Sequence, residues 1–248
     1  MRLSRLSRPL LIGCLFPLAF AACDRADAAA ESPPPTPVAV APSVAPPATV
    51  PSVGRDTLSD SLIIARADQG RLMGRESGAI WVVMISDFQC PYCKQWHDAS
   101  MESLTRDYVA RGQVRLAYLN LPLPQHKFAR AEAEAALCAG VQDKFWPFAE
   151  QLFNRQNAIE KVASIQPVLD TIARGLSLDM TDFGRCQQRP AIRALIDSDI
   201  QQATKTGVRS TPSFLIGDFL VEGAVPYADF RKAIDTALVL ARNAKRPR

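Results

Sequence analysis

The apolar positions of the chain form two kinds of pattern, short continuous runs and runs with helical spacing. The run IWVVMI at 80–85 is continuous and rich in β-branched and aromatic residues, which is typical of a strand buried on both faces. VRLAYLNL at 114–121 predicts a second strand. SFLIGDFLVEG at 213–223 predicts a hairpin, because two apolar runs flank a two-residue loop that begins with glycine.

Helical spacing dominates the other segments of residues 56–248. SDSLIIARAD at 59–68 predicts a short helix, and Pro91 predicts the start of another that reaches about Ala110, because proline is tolerated in a first helical turn. Apolar residues between 122 and 206 repeat on helical faces, which predicts several short helices there. Pro226 predicts the start of a last helix. The order strand, helix, strand, helical insert, hairpin, helix predicts an α/β fold.

The first 22 residues have the pattern of an export signal. Three arginines precede the uncharged segment 9–22, which is too short to cross a bilayer core of about 30 Å as a helix. We predict a signal peptide at 1–22. Small residues before Cys23 resemble a bacterial lipoprotein cleavage box, in which Cys23 carries the lipid; a plain signal cleaved near Ala28 and an uncleaved anchor are the alternatives.

Residues 23–55 are predicted to be a flexible, proline-rich tether. Residues 29–55 hold eight prolines and no aromatic residue, so they lack the side chains for a core. Fully extended, this segment reaches roughly 80 Å. A domain at 56–248 on such a tether would work above a membrane surface; the alternative is a leader without a spacing role.

Charge and cysteine content narrow the class of protein further. The net charge of the 248 residues is +4, and residues 56–248 hold 24 basic against 22 acidic residues, so no nucleic-acid partner is indicated. Of the six cysteines, Cys14 leaves with the signal peptide. Lipidation of Cys23 leaves an even four, which suits an oxidising compartment.

The reactive chemistry is predicted at Cys90 and Cys93, which follow the first strand in SDFQCPYCKQ. Unpaired N–H groups at a helix start stabilise a thiolate, and a stabilised thiolate is a good leaving group in disulfide exchange. Cys93 lies one turn further and is expected to be less accessible and to resolve a mixed disulfide. The alternatives are a structural metal site that includes His97, a copper site and a purely structural disulfide.

Three stretches carry a resemblance to a known family. SDFQCPYCKQWH, AEAALCAGVQDKFWPFAEQLF and GVRSTPSFLIG resemble the DsbA-like thioredoxin-fold proteins over about residues 58–240. The resemblance implies a thioredoxin fold with a helical insertion, at about 122–206, between the second core strand and the strand that carries a cis-proline. It also implies that Cys90 and Cys93 are catalytic and that a cis-proline at Pro212, after Thr211, binds an extended substrate peptide. Pro91 and Tyr92 are predicted to contribute to substrate binding.

Several positions need separate interpretation. The family commonly has a buried acid where this chain has Met84, so water or another group would have to take the proton of the second thiol. Asp87 is interpreted as a turn or cap residue, and His126 as a structural or rim residue. Lys94 is interpreted as a solvated helix residue that also favours the Cys90 thiolate.

The remaining two cysteines, Cys138 and Cys186, both lie in the predicted insert. After export they are expected to form a structural disulfide that joins its helices. The alternative is two buried thiols that never meet.

The sequence therefore predicts an exported thiol–disulfide oxidoreductase without a cofactor, on the periplasmic or other extracytoplasmic side, anchored by lipid. Its expected partners are proteins with cysteines and a membrane protein that recycles the redox pair. A tether in place of a dimerisation domain argues against an isomerase, and the choice between oxidase and reductase stays open. The alternative function is a non-catalytic copper-binding module, or metallochaperone, that uses the same two cysteines.

Overall fold

We describe residues 58–244 of a computed structural model of the chain. The predicted signal peptide and the whole predicted tether, with Cys23, lie outside these residues, as do residues 56–57 and 245–248 of the predicted domain. The elements in chain order are α1 (Asp60–Gly70), β1 (Leu72–Met73), β2 (Ile80–Ser86), α2 (Pro91–Leu104) with a π-helical turn (Thr105–Val109), β3 (Val114–Asn120), α3 (Ala129–Gly140), α4 (Phe145–Ile159), α5 (Gln166–Gly175), α6 (Met180–Gln187), α7 (Pro190–Lys205), β4 (Ser213–Ile216), β5 (Phe219–Glu222) and α8 (Tyr227–Ala244).

The sheet has five strands in the order β1-β3-β2-β4-β5. β2 lies at its centre, parallel to β3 and antiparallel to β4, as the continuous apolar run predicts. Met84 on β2 is the register partner of Tyr118 on β3. The edge strand β1 was not predicted, because two residues are too few to show an alternating pattern.

The two faces of β2 contribute to different apolar clusters. Met84 belongs to the main core, in which Trp96 of α2 contacts Phe214 and Phe230 with ring centroids 4.4 and 4.9 Å apart. The next residue, Ile85, points to the opposite face and belongs to a smaller cluster. Burial on both faces explains why this strand has no polar alternation.

The predicted insertion is present between β3 and β4 and consists of α3 to α7. Cys138 on α3 and Cys186 on α6 form a disulfide across 48 residues of sequence. Asp199 on α7 accepts hydrogen bonds from Arg71, at 2.5 Å, and from the amide of Asn120 at the end of β3. These contacts attach the insertion to the sheet. Among residues 58–244, no helix combines the length and apolarity needed to cross a membrane.

Candidate active site

Cys90 lies at the point where the chain leaves β2 and enters α2. It is the N-cap residue of α2, with φ −73° and ψ 120°, and Pro91 occupies the first turn. The backbone N–H groups of a first turn have no partners within the helix. The Cys90 sulfur is therefore placed beside free donors, in the position that the sequence predicts.

Four nearby donors lower the pKa of Cys90 from its ordinary value to about 6. The largest contribution is the hydrogen bond from the Cys93 thiol, followed by the Thr211 hydroxyl and the amides of Cys93 and Tyr92; burial opposes them. In the thiol form, Cys90 Sγ donates to the Thr211 carbonyl at 3.3 Å. The Thr211 hydroxyl then has no partner, so it is available to donate to a thiolate.

The pKa of Cys93 is shifted in the opposite direction from that of Cys90. Burial raises its pKa well above the ordinary value, and the neighbouring Cys90 raises it further, while the Ser86 hydroxyl partly opposes the rise. Both cysteines are free thiols in the structure. The pair is therefore asymmetric, with a stabilised anion at Cys90 and a proton held on Cys93.

Both redox residues are almost fully buried, with Cys90 3% exposed and Cys93 2% exposed. The Thr211 carbonyl lies against Cys90 Sγ at 3.3 Å and contributes to its burial. Burial is the largest influence on the pKa of Cys93 but not on that of Cys90, which agrees with the expectation that Cys93 is the less accessible thiol.

The predicted substrate-binding residues lie around Cys90. The Thr211–Pro212 peptide bond is cis, and the Pro212 carbonyl accepts a hydrogen bond from Gly223 at 2.8 Å. Pro91 is exposed, and Tyr92 is 63% exposed. The structure brings all four residues to the same edge of the fold as the thiols, with a buried backbone element on one side and an exposed aromatic ring on the other.

A buried carboxylate organises the loop before Cys90. Asp87 accepts from the Gln89 amide at 2.8 Å, which forms the predicted turn. Its other oxygen accepts from the Leu123 amide and is 2.7 Å from His126 Nδ1. His126 therefore has a structural contact that joins the two loops.

Two glutamines that sequence analysis did not select also hold this loop. Gln156 on α4 donates to the carbonyls of Phe88 and Cys90, at 2.6 and 3.0 Å. The Gln89 side chain accepts from the Phe128 amide at 2.6 Å. The only signal at Gln156 in the sequence was a glutamine on the apolar face of a helix. The sequence does not show which backbone groups this side chain contacts.

Two other candidate residues on α2, Lys94 and His97, contact side chains other than the redox thiols. Lys94 forms an ion pair with Asp98 at 2.8 Å. The His97 ring contacts the Phe153 ring, with centroids 4.7 Å apart. Within residues 58–244 the structure has no cluster of three or more His, Cys, Asp or Glu side chains arranged to hold a metal ion.

With this geometry in place, comparison with known proteins identifies the family. A family model described as "Thioredoxin" matches residues 66–236. The chain belongs to the thioredoxin family.

Relatives and solved structures agree with the predicted DsbA-like fold. Alpha-DsbA1 of Wolbachia pipientis gives a TM-score of 0.63 at 19% identity, covering 71% of this chain and 94% of that one. A thioredoxin-like oxidoreductase from Silicibacter pomeroyi gives 0.57 at 29% identity, covering 73% and 98%. A probable disulfide bond formation protein D from Bacillus anthracis is 25% identical, covering 73% of this chain and 88% of that one. The prediction of a DsbA-like thioredoxin fold is confirmed.

Proposed function

We propose that this DsbA-like thiol:disulfide oxidoreductase is exported and exchanges disulfides with cysteine-containing proteins through Cys90 and Cys93. The observation that carries the proposal is the pair of opposite pKa shifts, which lower the pKa of Cys90 to about 6 and raise that of Cys93. A low-pKa thiol is a good leaving group, and a high-pKa thiol returns readily to its protonated form.

The exchange proceeds in two steps. A client thiolate attacks the Cys90 sulfur of the oxidised pair, the bond to Cys93 breaks, and Cys93 leaves with the electron pair. A second client thiolate then attacks the client sulfur of the mixed disulfide and releases the Cys90 thiolate. The client loses two electrons and the enzyme gains them; in the reverse direction, Cys93 attacks Cys90 and releases a reduced client.

We propose the oxidising direction as the physiological one. Stabilising the Cys90 thiolate stabilises the reduced enzyme, and this makes the oxidised form a stronger oxidant. The relative from Bacillus anthracis carries the name of a disulfide bond formation protein, which supports the same direction. Equilibration of the purified protein with a glutathione buffer measures it directly, and a pair that stays oxidised in a reducing buffer would indicate a reductase.

The client is proposed to bind between the cis-proline loop and the exposed part of α2. An extended peptide beside Thr211 and Pro212 would place its cysteine next to Cys90, because the Thr211 carbonyl already lies 3.3 Å from Cys90 Sγ. Pro91 and the exposed ring of Tyr92 provide the opposite side. Backbone pairing accepts many sequences, which suits an enzyme with varied clients.

Export, a lipid anchor at Cys23 and recycling by a membrane protein belong to the same proposal. The cationic, apolar start of the chain supports export. The disulfide between Cys138 and Cys186 supports it independently, because structural disulfides are typical of oxidising compartments.

Trapping of the mixed disulfide tests the function. Cys93→Ala removes the resolving thiol, so we expect clients to stay covalently bound to Cys90, detected as dithiothreitol-sensitive adducts on non-reducing gels and by mass spectrometry. Cys90→Ala is the matched control and should trap almost none. If both variants trapped equal amounts of client, Cys90 would not be the thiol that binds clients and Cys93 would not be the resolving thiol. Stoichiometric copper in the purified wild-type protein, with no insulin-reducing activity, would favour the metallochaperone instead.

A further inference from the structure

Gln156 is a buried polar side chain on the apolar face of α4, where Phe153 and Ile159 are its buried neighbours. It is 2% exposed, and its amide nitrogen donates to the carbonyls of Phe88, at 2.6 Å, and Cys90, at 3.0 Å. A side-chain amide has two N–H groups, so these two carbonyls use both of them. Because a buried amide is costly without its hydrogen bonds, the two bonds hold Gln156 in one orientation.

The two carbonyls lie on either side of the Cys90 side chain. Pro91 has no N–H, so the peptide group between Cys90 and Pro91 can be held by hydrogen bonds only through its carbonyl. That carbonyl accepts from the Lys94 amide within α2, at 3.1 Å, and from Gln156. Within residues 58–244, Gln156 is the side chain that bonds to the carbonyls of both Phe88 and Cys90. It therefore fixes the backbone before and after the first redox residue.

The orientation of the peptide group after Cys90 determines what surrounds the sulfur. Cys90 is the N-cap residue, and its ψ of 120° sets the direction in which α2 leaves it. An N-cap side chain accepts from the amides of the second and third helical residues, which here are Tyr92 and Cys93. Both amides lower the pKa of Cys90. A rotation of the peptide group about ψ would move these N–H groups away from the sulfur.

We propose that Gln156 is a positioning residue for the redox pair, and that it holds the Cys90 sulfur against the N–H groups of the first turn of α2. This inference rests on the proposed disulfide exchange. Gln156 acts through the carbonyls of Phe88 and Cys90. Because a thiolate gains more from N–H donors than a disulfide sulfur does, Gln156 stabilises the reduced protein more than the oxidised protein.

The step that depends on Gln156 is the release of Cys90 from the mixed disulfide. A second client thiolate attacks the client sulfur, the bond to Cys90 breaks, and the electron pair goes to the Cys90 sulfur. A client disulfide forms, and Cys90 is reduced to a thiolate. The leaving thiolate receives the amides of the first turn without a rearrangement, because Gln156 already holds the backbone in place.

The first test compares Gln156→Met, which keeps the length of the side chain but cannot donate a hydrogen bond, with wild type. The measured quantity is the rate of Cys90 alkylation by iodoacetamide as a function of pH. We expect the midpoint, near pH 6 in wild type, to rise by about one pH unit. Gln151→Met, on the same helix, is the matched control and should keep the wild-type midpoint, because the Gln151 side chain contacts Arg155 of α4.

The shift can be assigned to the backbone donors because the variant leaves the nearby ionisable groups in place. These are Cys93 and Lys94 on α2, Asp87 in the loop and Arg209 in the loop that carries Thr211. Among the described residues, the hydrogen bonds of the Gln156 side chain go to backbone carbonyls rather than to these groups.

Equilibration with glutathione separates positioning from a purely structural role. The protein disulfide is reduced to two thiols while two glutathione molecules are oxidised to their disulfide. A higher pKa of Cys90 destabilises the reduced protein only where Cys90 is ionised. The equilibrium constant for reduction should therefore fall about tenfold in Gln156→Met at about pH 8 and change little at about pH 5. A purely structural role would give the same ratio at both pH values.

A wild-type alkylation midpoint in Gln156→Met, or a ratio that does not vary with pH, would overturn the inference. A wild-type protein that exchanges no disulfide with glutathione would contradict the proposed function instead. If Gln156→Met does not fold, hydrogen exchange by NMR on the wild type provides the test. The side-chain amide protons of Gln156 should exchange at least about tenfold more slowly than those of Gln151. Equal exchange rates would show that the two bonds do not persist and would also overturn the inference.

Discussion

At the scale of single residues, the reactivity of this protein depends on the unequal hydrogen bonding of two buried cysteines. Cys90 receives donors from its own helix and from the Thr211 loop, whereas Cys93 is enclosed by apolar side chains and by Cys90 itself. Burial alone would raise the pKa of both thiols. The lowered pKa of Cys90 is therefore the result of donors that outweigh desolvation.

Alkylation of Cys90 tests this balance. The thiolate is the reactive form, so the rate with iodoacetamide should rise with pH, reach half its maximum near pH 6 and then level off. Because the hydrogen bond from Cys93 is the largest favourable contribution, Cys93→Ala should shift the midpoint upwards, towards that of an ordinary thiol. The measurement is mass spectrometry of the Cys90 peptide. A wild-type midpoint near that of a free thiol would show that the donors do not stabilise the anion.

At the scale of elements, one buried ion pair joins the insertion to the start and the end of sheet strands. Asp199 on α7 is fully buried and contacts Arg71, which precedes β1, and Asn120, which ends β3. Desolvation raises the pKa of Asp199 and Arg71 lowers it, so the charge depends on its partner. Removing one partner of a buried pair is costly, and without Asp199 the buried Arg71 keeps only the half-exposed Asp68 as a counter-charge.

Asp199→Asn should therefore destabilise the fold strongly. We expect the free energy of unfolding to fall by about 3 kcal/mol, measured by urea denaturation, because Arg71 loses its buried counter-charge. Asp197→Asn on the same helix is the matched control: its pair with Arg130 is about half exposed on both sides and should contribute less than about 1 kcal/mol. Similar losses in both variants would mean that the buried pair does not hold the insertion.

At the scale of the whole molecule, the five insertion helices form part of the active site rather than a separate cap. α4 supplies Gln156 to the carbonyls of Phe88 and Cys90, and Phe128, the N-cap residue of α3, donates its amide to the Gln89 side chain. The disulfide between α3 and α6 closes a loop of 48 residues within this insertion. It lies away from the redox pair in sequence and joins helices that already pack together.

Removing this disulfide should lower stability without removing activity. Cys138→Ala combined with Cys186→Ala releases the constraint on the unfolded chain, which is worth about 2 to 4 kcal/mol for a loop of this size. We expect a lower thermal midpoint by calorimetry, while the pH midpoint of Cys90 alkylation stays unchanged. If the double variant folds but the pH midpoint of Cys90 alkylation rises to that of an ordinary thiol, the disulfide positions the redox helix instead.

The sequence by itself determined the strands β2 to β5, the starts of α1, α2 and α8, and the position of two cysteines at a helix start. The reason is that these features depend on local properties: apolar runs, proline and glycine signals, and the three-residue spacing of Cys90 and Cys93. The edge strand β1 was missed because it is too short to carry a pattern. The resemblance, rather than periodicity, pointed to Pro212, which the structure places beside the cysteines.

Only the tertiary structure decided how the site is surrounded. The contacts of Cys90 with Thr211 and of Gln156 with the loop before α2 join residues that are far apart in sequence. Such contacts leave no periodic signal, because a buried polar residue on an apolar helix face does not reveal its partner. The sequence supplied two thiols at a helix start, where local donors from Cys93 and Tyr92 favour the Cys90 anion, and long-range packing added the Thr211 hydroxyl and the burial that keeps the proton on Cys93.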